Sequence, residues 1–103
     1  QCLTPRYAAP EYMLDCSVSP AVDVYQAGLI FVEALTGTPL VETSNLGACL
    51  KIHNAGLTLP EPVATSCFAP MLRRALARQP ADRYPHAAAF ATALARRCRT
   101  VFR

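Results

Sequence analysis

No stretch of this chain stays apolar for the roughly 20 residues that a membrane-spanning helix needs. The longest apolar run, Ser19 to Gly37, is interrupted by Asp23, Gln26 and Glu33, so it reads as a buried helix of a globular domain. No positively charged, then apolar leader stands at the start, and the expectation is a cytoplasmic location with no membrane segment. Cysteines and histidines never come in the close pairs that hold a metal. Cys2, Cys16, Cys49, Cys67 and Cys98 are scattered and odd in number, while His53 and His86 stand alone. A metal site and a disulfide framework are both set aside, and the cysteines are expected to be small buried hydrophobes in a reducing compartment. Charge is scarce, at 17% of residues against 52% apolar, which excludes disorder as a description of the whole chain.

Lysine is nearly missing. Lys51 is the only one, the other basic residues are arginines, and all basic residues except Arg6 and Lys51 lie between Arg73 and Arg103. The formal charge is +3. Aromatic interleaving and nucleic-acid-binding motifs do not accompany these arginines, so they are read as solvated helix faces and no nucleic-acid partner is expected.

What is present is helical patterning, in a chain of 103 residues that suffices for one domain with a modest core. Residues 1–17 have no sustained period and hold Pro5 and Pro10, which predicts a loop with one short helix after Pro10. Residues 19–37 carry both helix end signals: Ser19 as cap, Pro20 at the first position and Gly37 for the left-handed turn that ends it. Val22, Tyr25, Leu29 and Val32 lie near one face of this helix, while Val24, Ala27, Ile30 and Phe31 fill the others, so it is expected to be the buried axle of the domain. A third helix over 44–56 would be capped by Ser44 and have Leu46, Cys49, Leu50 and His53 on one face. After a proline-bearing loop, a helix over 66–79 has Phe68, Met71, Leu72, Ala75 and Leu76 at helical spacing, with Pro70 tolerable only in its first turn. The last helix, over 86–102, is expected to bury Phe90, Ala91, Leu94 and Cys98 and to expose Arg96, Arg97 and Arg99.

Three stretches carry a resemblance in the same order. Thr4, Pro5, Arg6, Tyr7, Ala8, Ala9, Pro10 and Glu11 are similar to the end of the activation segment of serine/threonine protein kinases, which closes on an Ala-Pro-Glu motif. Asp23 to Ile30, with Leu35, Thr36, Gly37, Thr38, Pro39 and Leu40 after it, resembles the central helix of the kinase large lobe. Leu76 to Pro85, with Asp82, Arg83, Tyr84 and Pro85, resembles the late Asp-Pro-x-x-Arg stretch of bacterial kinases. Two positions depart from the pattern: Leu3 replaces a glycine and Gln79 an aspartate.

The resemblance covers the back half of a kinase and implies an all-α fold, the helical part of the large (C-terminal) lobe packed around a buried central helix. It implies that Glu11 and Arg83 form a buried ion pair and that Thr4, Arg6, Tyr7 and Ala8 dock the substrate peptide. It also makes Asp23 an anchor for the catalytic loop, although local capping of its own helix is an equally good account of that carboxylate. Phosphoryl transfer needs groups that hold ATP, Mg and the attacking hydroxyl. The sequence carries no Gly-rich loop, no Val-Ala-Ile-Lys lysine, no His-Arg-Asp loop and no Asp-Phe-Gly. The expectation is therefore a scaffold and substrate-docking segment, not catalytic alone, with no cofactor of its own; ATP and Mg belong to the complete parent enzyme, whose substrates are proteins. The alternative is a pseudokinase-like helical module that binds a protein partner, or the missing kinase portion, without catalysis.

Overall fold

Prolines mark where this chain enters its helices. The computed structural model describes residues 5–101, apart from the side chains of residues 100 and 101, and every regular element in them is helical. Five α-helices follow one another: α1 (Pro10–Asp15), α2 (Pro20–Thr36), α3 (Leu46–Ala55), α4 (Ala69–Ala75) and α5 (Ala87–Val101). Short 3-10 turns occupy Pro5–Tyr7, Val63–Thr65 and Pro80–Asp82. Pro10, Pro20 and Pro70 stand in the first turns of α1, α2 and α4, where a missing N–H costs no helical hydrogen bond.

The helix ends differ from expectation in instructive ways. Ser19 has the extended backbone of a cap, yet its side chain makes no capping hydrogen bond. Asn45, not Ser44, caps α3: its Oδ1 accepts from the Ala48 N–H at 3.0 Å. Gly37 ends α2 in the left-handed region (φ 81°), and its N–H donates to the Glu33 carbonyl at 2.7 Å. The helix expected over 66–79 is shorter, ending at Ala75, and it starts late because the Ser66 hydroxyl donates to the Val63 carbonyl at 2.7 Å and accepts from the Phe68 N–H at 3.3 Å. Such local bonds hold the backbone in a turn and compete with helix.

The core forms where α4 and α5 pack on α2. Val22, Val24, Tyr25, Gly28, Leu29 and Val32 of α2 are buried, together with Ala69, Met71, Leu72 and Ala75 of α4 and Phe90 of α5. Gly28 is the point of closest approach. A Cβ there would lie 3.0 Å from Leu76 Cδ2 and 3.2 Å from Ala75 Cβ, so a methyl group would press on these neighbours and a larger side chain would hold the two segments apart. Aromatic pairs close the ends of the core, Phe31 edge-on to Phe68 and Tyr84 tilted on Phe90, each with centroids 5.4 Å apart.

The axle is only half wrapped. Ile30 and Leu35 of α2 are 54% and 46% exposed. In α5, Ala91 is exposed and Ala89 and Ala93 turn inward beside Phe90, since the inward stripe advances by three and four residues. Cys49 is buried and its thiol donates to the Thr43 carbonyl at 3.1 Å. Cys67 and Cys98 are partly covered, and Cys16 is exposed where α1 ends in a left-handed residue (φ 58°), contrary to the expectation of burial throughout. Despite its open face the chain is compact, with a radius of gyration of 13.3 Å against about 13 Å for a folded chain of 100 residues.

Candidate functional site

Glu11, in the first turn of α1, and Arg83, just past the last 3-10 turn, are 72 positions apart and meet in a two-pronged ion pair. The Arg83 Nη1 and Nη2 groups donate to the two Glu11 oxygens at 2.7 and 2.8 Å. Its remaining N–H groups donate to the carbonyls of Ala21 at 3.1 Å, Ala77 at 2.7 Å and Arg78 at 3.1 Å. One face of the guanidinium lies over the Tyr25 ring, 4.7 Å from its centroid. The Arg83 side chain is fully buried, so this single group ties α1, the start of α2 and the approach to α5 together.

The stretch before α1 is laid across α2 and α3. Pro5–Tyr7 makes a 3-10 turn closed by the Ala8 N–H on the Pro5 carbonyl at 3.3 Å, and Ala8 and Ala9 are buried behind it. The Tyr7 hydroxyl donates to Glu33 Oε1 at 2.5 Å, and this carboxylate partner raises the pKa of the phenol above its ordinary value. Arg6 donates to the Glu42 carbonyl at 3.2 Å. Beside them an open recess of about 470 Å³ is lined by Tyr7, Gln26, Ile30, Glu33, Ala34 and Gly37. The recess is mostly apolar and carries the Glu33 carboxylate at its edge.

Beneath this stretch His53 of α3 is completely buried, and its Nδ1 lies 2.7 Å from the Tyr25 hydroxyl. Burial lowers the pKa of the imidazole, and the backbone carbonyls of Pro5 and Arg6 pull it the other way. Tyr25 is shifted upward, chiefly by burial. Glu11, Arg83, Tyr25 and His53 therefore form one continuous polar line through the core.

Of the residues singled out in the sequence, Arg6, Tyr7 and Ala8 stand together in one turn and Glu11 with Arg83 in one ion pair. Thr4 and Leu3 lie outside the described residues. Asp23 is exposed and makes no hydrogen bond to the described residues, and it neither caps α2 nor meets Ser19. Glu33 and His53 were not picked out as site residues by sequence. Glu33 carried a signal, being a carboxylate inside an otherwise apolar helix, whereas His53 looked like one more position on the inner face of α3. The arginines of the C-terminal third have structural roles as well: Arg74 stacks on Tyr84 at 4.2 Å, Arg78 grips the Asn54 side chain at 2.7 and 3.1 Å, and Arg73 donates to the Ala64 carbonyl at 3.3 Å.

Among the described residues no three His, Cys, Asp or Glu side chains converge as a metal-ligand set would, and Lys51 is exposed on α3. No described helix is long and apolar enough to cross a membrane.

Comparison with known proteins gives a consistent result. Over 95 residues, 88% of this chain, it is 36% identical to serine/threonine-protein kinase Pkn1 of Myxococcus xanthus. It is 34% identical over 90 residues to PknL of Mycobacterium tuberculosis and 30% identical over 95 residues to PknH of Mycobacterium bovis, both serine/threonine-protein kinases. The aligned stretch is 14% of Pkn1, 16% of PknH and 23% of PknL, so the chain spans less than a quarter of these relatives. No family model matches the chain.

Proposed function

We propose that this chain, which belongs to the serine/threonine protein kinase family, is the peptide-docking and scaffold segment of the large lobe and transfers no phosphate by itself. The observation that carries this reading is the Pro5–Ala8 turn fixed across α2 by Tyr7 on Glu33, with an open, largely apolar recess beside it. A turn held at both ends presents its outer backbone edge to an incoming peptide without having to order itself first. The buried ion pair beneath it gives that turn a rigid floor. Asp23, exposed at the start of α2, is the group through which a catalytic loop elsewhere in the parent would be anchored. The parent enzyme would then phosphorylate Ser or Thr in proteins, drawing ATP and Mg from parts outside this chain.

A chimera tests this directly. The chain replaces the aligned 95 residues of Pkn1, and peptide phosphorylation is followed with and without Tyr7→Phe and Glu33→Ala. The docking reading expects a higher KM for peptide, by about tenfold for a lost charge-assisted bond, with KM for ATP unchanged. A chimera that phosphorylates peptide with the same KM in all three forms overturns it.

A second reading is supported by the uncovered apolar surface. Ile30 and Leu35 on α2 and Leu46 on α3 are between 46% and 63% exposed, as expected of a helical module that binds a protein partner without catalysis. Sedimentation of the purified chain separates the two: a monomer at all concentrations that captures no kinase fragment speaks against a partner-binding module.

A further inference from the structure

The last part of the chain carries charge of one sign. After Asp82 the sequence holds no aspartate or glutamate, whereas Arg83, Arg96, Arg97, Arg99 and Arg103 all follow it. Between α4 and α5 lies an open groove of about 720 Å³, and no acidic residue lines it. Arg74 of α4, His86 at the entry to α5, and Arg96 and Arg97 farther along α5 bring donors to this groove. The α5 residues between them that line it, such as Ala89 and Ala93, are small, so a second backbone can come close. Arg74 is held in place in advance: its guanidinium stacks 4.2 Å over the centre of the Tyr84 ring, which is itself buried and tilted on Phe90. Stacking fixes the face of the group and leaves its N–H donors at the edge. His86 accepts the Ala89 N–H on Nδ1 at 3.1 Å, so the proton of the neutral ring sits on Nε2 as one more donor.

We infer that the groove between α4 and α5 docks an acidic segment of a partner protein, bound in extended form. Charge complementarity names the occupant: several arginines without a carboxylate of their own match a row of Asp or Glu side chains, each of which an arginine can hold through two parallel N–H bonds. Length fits as well. From His86 to Arg97 the groove follows α5 for about 16 Å at about 1.5 Å per residue, the span of about five extended residues at about 3.3 Å each. A nucleic acid strand fits less well, because Tyr84 is the one aromatic residue in the lining and its ring is buried under Arg74, which leaves no face for a base to stack on. A lipid surface fits less well too, since none of the large exposed apolar side chains, such as Ile30, Leu35 and Leu46, belongs to the groove. The site shares no lining residue with the recess beside Tyr7 and does not depend on the function proposed for that recess.

The test separates this groove from basic charge in general. Fluorescence anisotropy at low ionic strength follows a labelled peptide of alternating glutamate and alanine, about six residues long, and its glutamine counterpart, on the whole chain. The glutamate peptide is expected to bind at least about tenfold more tightly than the glutamine one. Arg97→Glu, an exposed change on α5 inside the groove, is expected to weaken the glutamate peptide by about tenfold, and Arg74→Gln by about fivefold. Arg99→Glu makes the same change in net charge on the same helix outside the groove, and is expected to weaken it by no more than about twofold. Equal losses for Arg97→Glu and Arg99→Glu, or equal binding of the two peptides, overturn the proposal. So does displacement of the peptide by a single-stranded oligonucleotide of equal length, or by phosphatidylserine vesicles, at lower concentration than unlabelled peptide needs, since the groove would then belong to a nucleic acid or a membrane. None of these readouts involves Tyr7 or Glu33, so failure here leaves the function proposed above untouched.

Discussion

Removing Glu11 while leaving Arg83 in place should be among the most damaging single changes on this chain's surface or in its core. Arg83 spends all five of its donors, two on Glu11 and three on the carbonyls of Ala21, Ala77 and Arg78, and its side chain is fully out of water. With Glu11→Ala the three carbonyls remain, and the cation is left buried without its counter-charge. Breaking a buried pair in this way costs about 3–5 kcal/mol. A domain of this size is stable by roughly 5–15 kcal/mol, so about a fifth or more of the total would disappear. Urea unfolding should show it as a drop of about 2 M in midpoint, at a slope of about 1–3 kcal/mol per molar urea. The drop should persist in about 1 M salt, since a desolvated pair is poorly screened. The double variant Glu11→Ala with Arg83→Met should lose less than the sum of the two single losses, by up to about 3 kcal/mol, because no unpaired charge remains in it. A cost for Glu11→Ala below about 1 kcal/mol, the size found for solvent-exposed pairs, would refute the argument that this pair locks the fold.

Three further outcomes are expected. His53 has its pKa lowered by burial, so below its ordinary value of 6.5 the unfolded chain takes up a proton that the folded chain refuses. Stability contributed by the neutral ring is complete above about pH 6.5 and falls as the pH drops below it, by at most about 1.4 kcal/mol per unit, and His53→Gln should remove that slope from urea titrations between pH 7 and 5. Gly28→Leu forces a side chain into the space of Leu76 and Ala75 and should cost about 1–3 kcal/mol by thermal unfolding, whereas Gly28→Ala should be close to neutral because better helix propensity offsets the tight contact. Asn45→Ala removes the cap of α3 and should cost about 1 kcal/mol, read in the same melts.

Much of the architecture could be read from local chemistry. Proline at helix starts and Gly37 at the end of α2 act through backbone geometry alone, so these punctuation marks mean the same thing in any fold. The inward residues of α4 are set by spacing, and Met71, Leu72 and Ala75 are buried as that spacing requires. Where a local alternative competes, sequence was a poorer guide: Ser66 trades helix for a turn, and Asn45 takes the cap that Ser44 could equally have supplied. The site was legible only in part. Glu11, Arg6, Tyr7, Ala8 and Arg83 stand in recognisable motifs, but Glu33 and His53 gain their roles from neighbours 26 and 28 residues away in sequence, Tyr7 and Tyr25.

The sequence by itself determined that this chain is helical and to which family it is related, because those properties depend on a residue and its near neighbours. Only the tertiary structure decided that α2 is covered on one side and bare on the other, and that a histidine in α3 is buried against the Tyr25 hydroxyl of α2. Burial and pairing across tens of residues depend on which surfaces meet, and no local pattern carries that information.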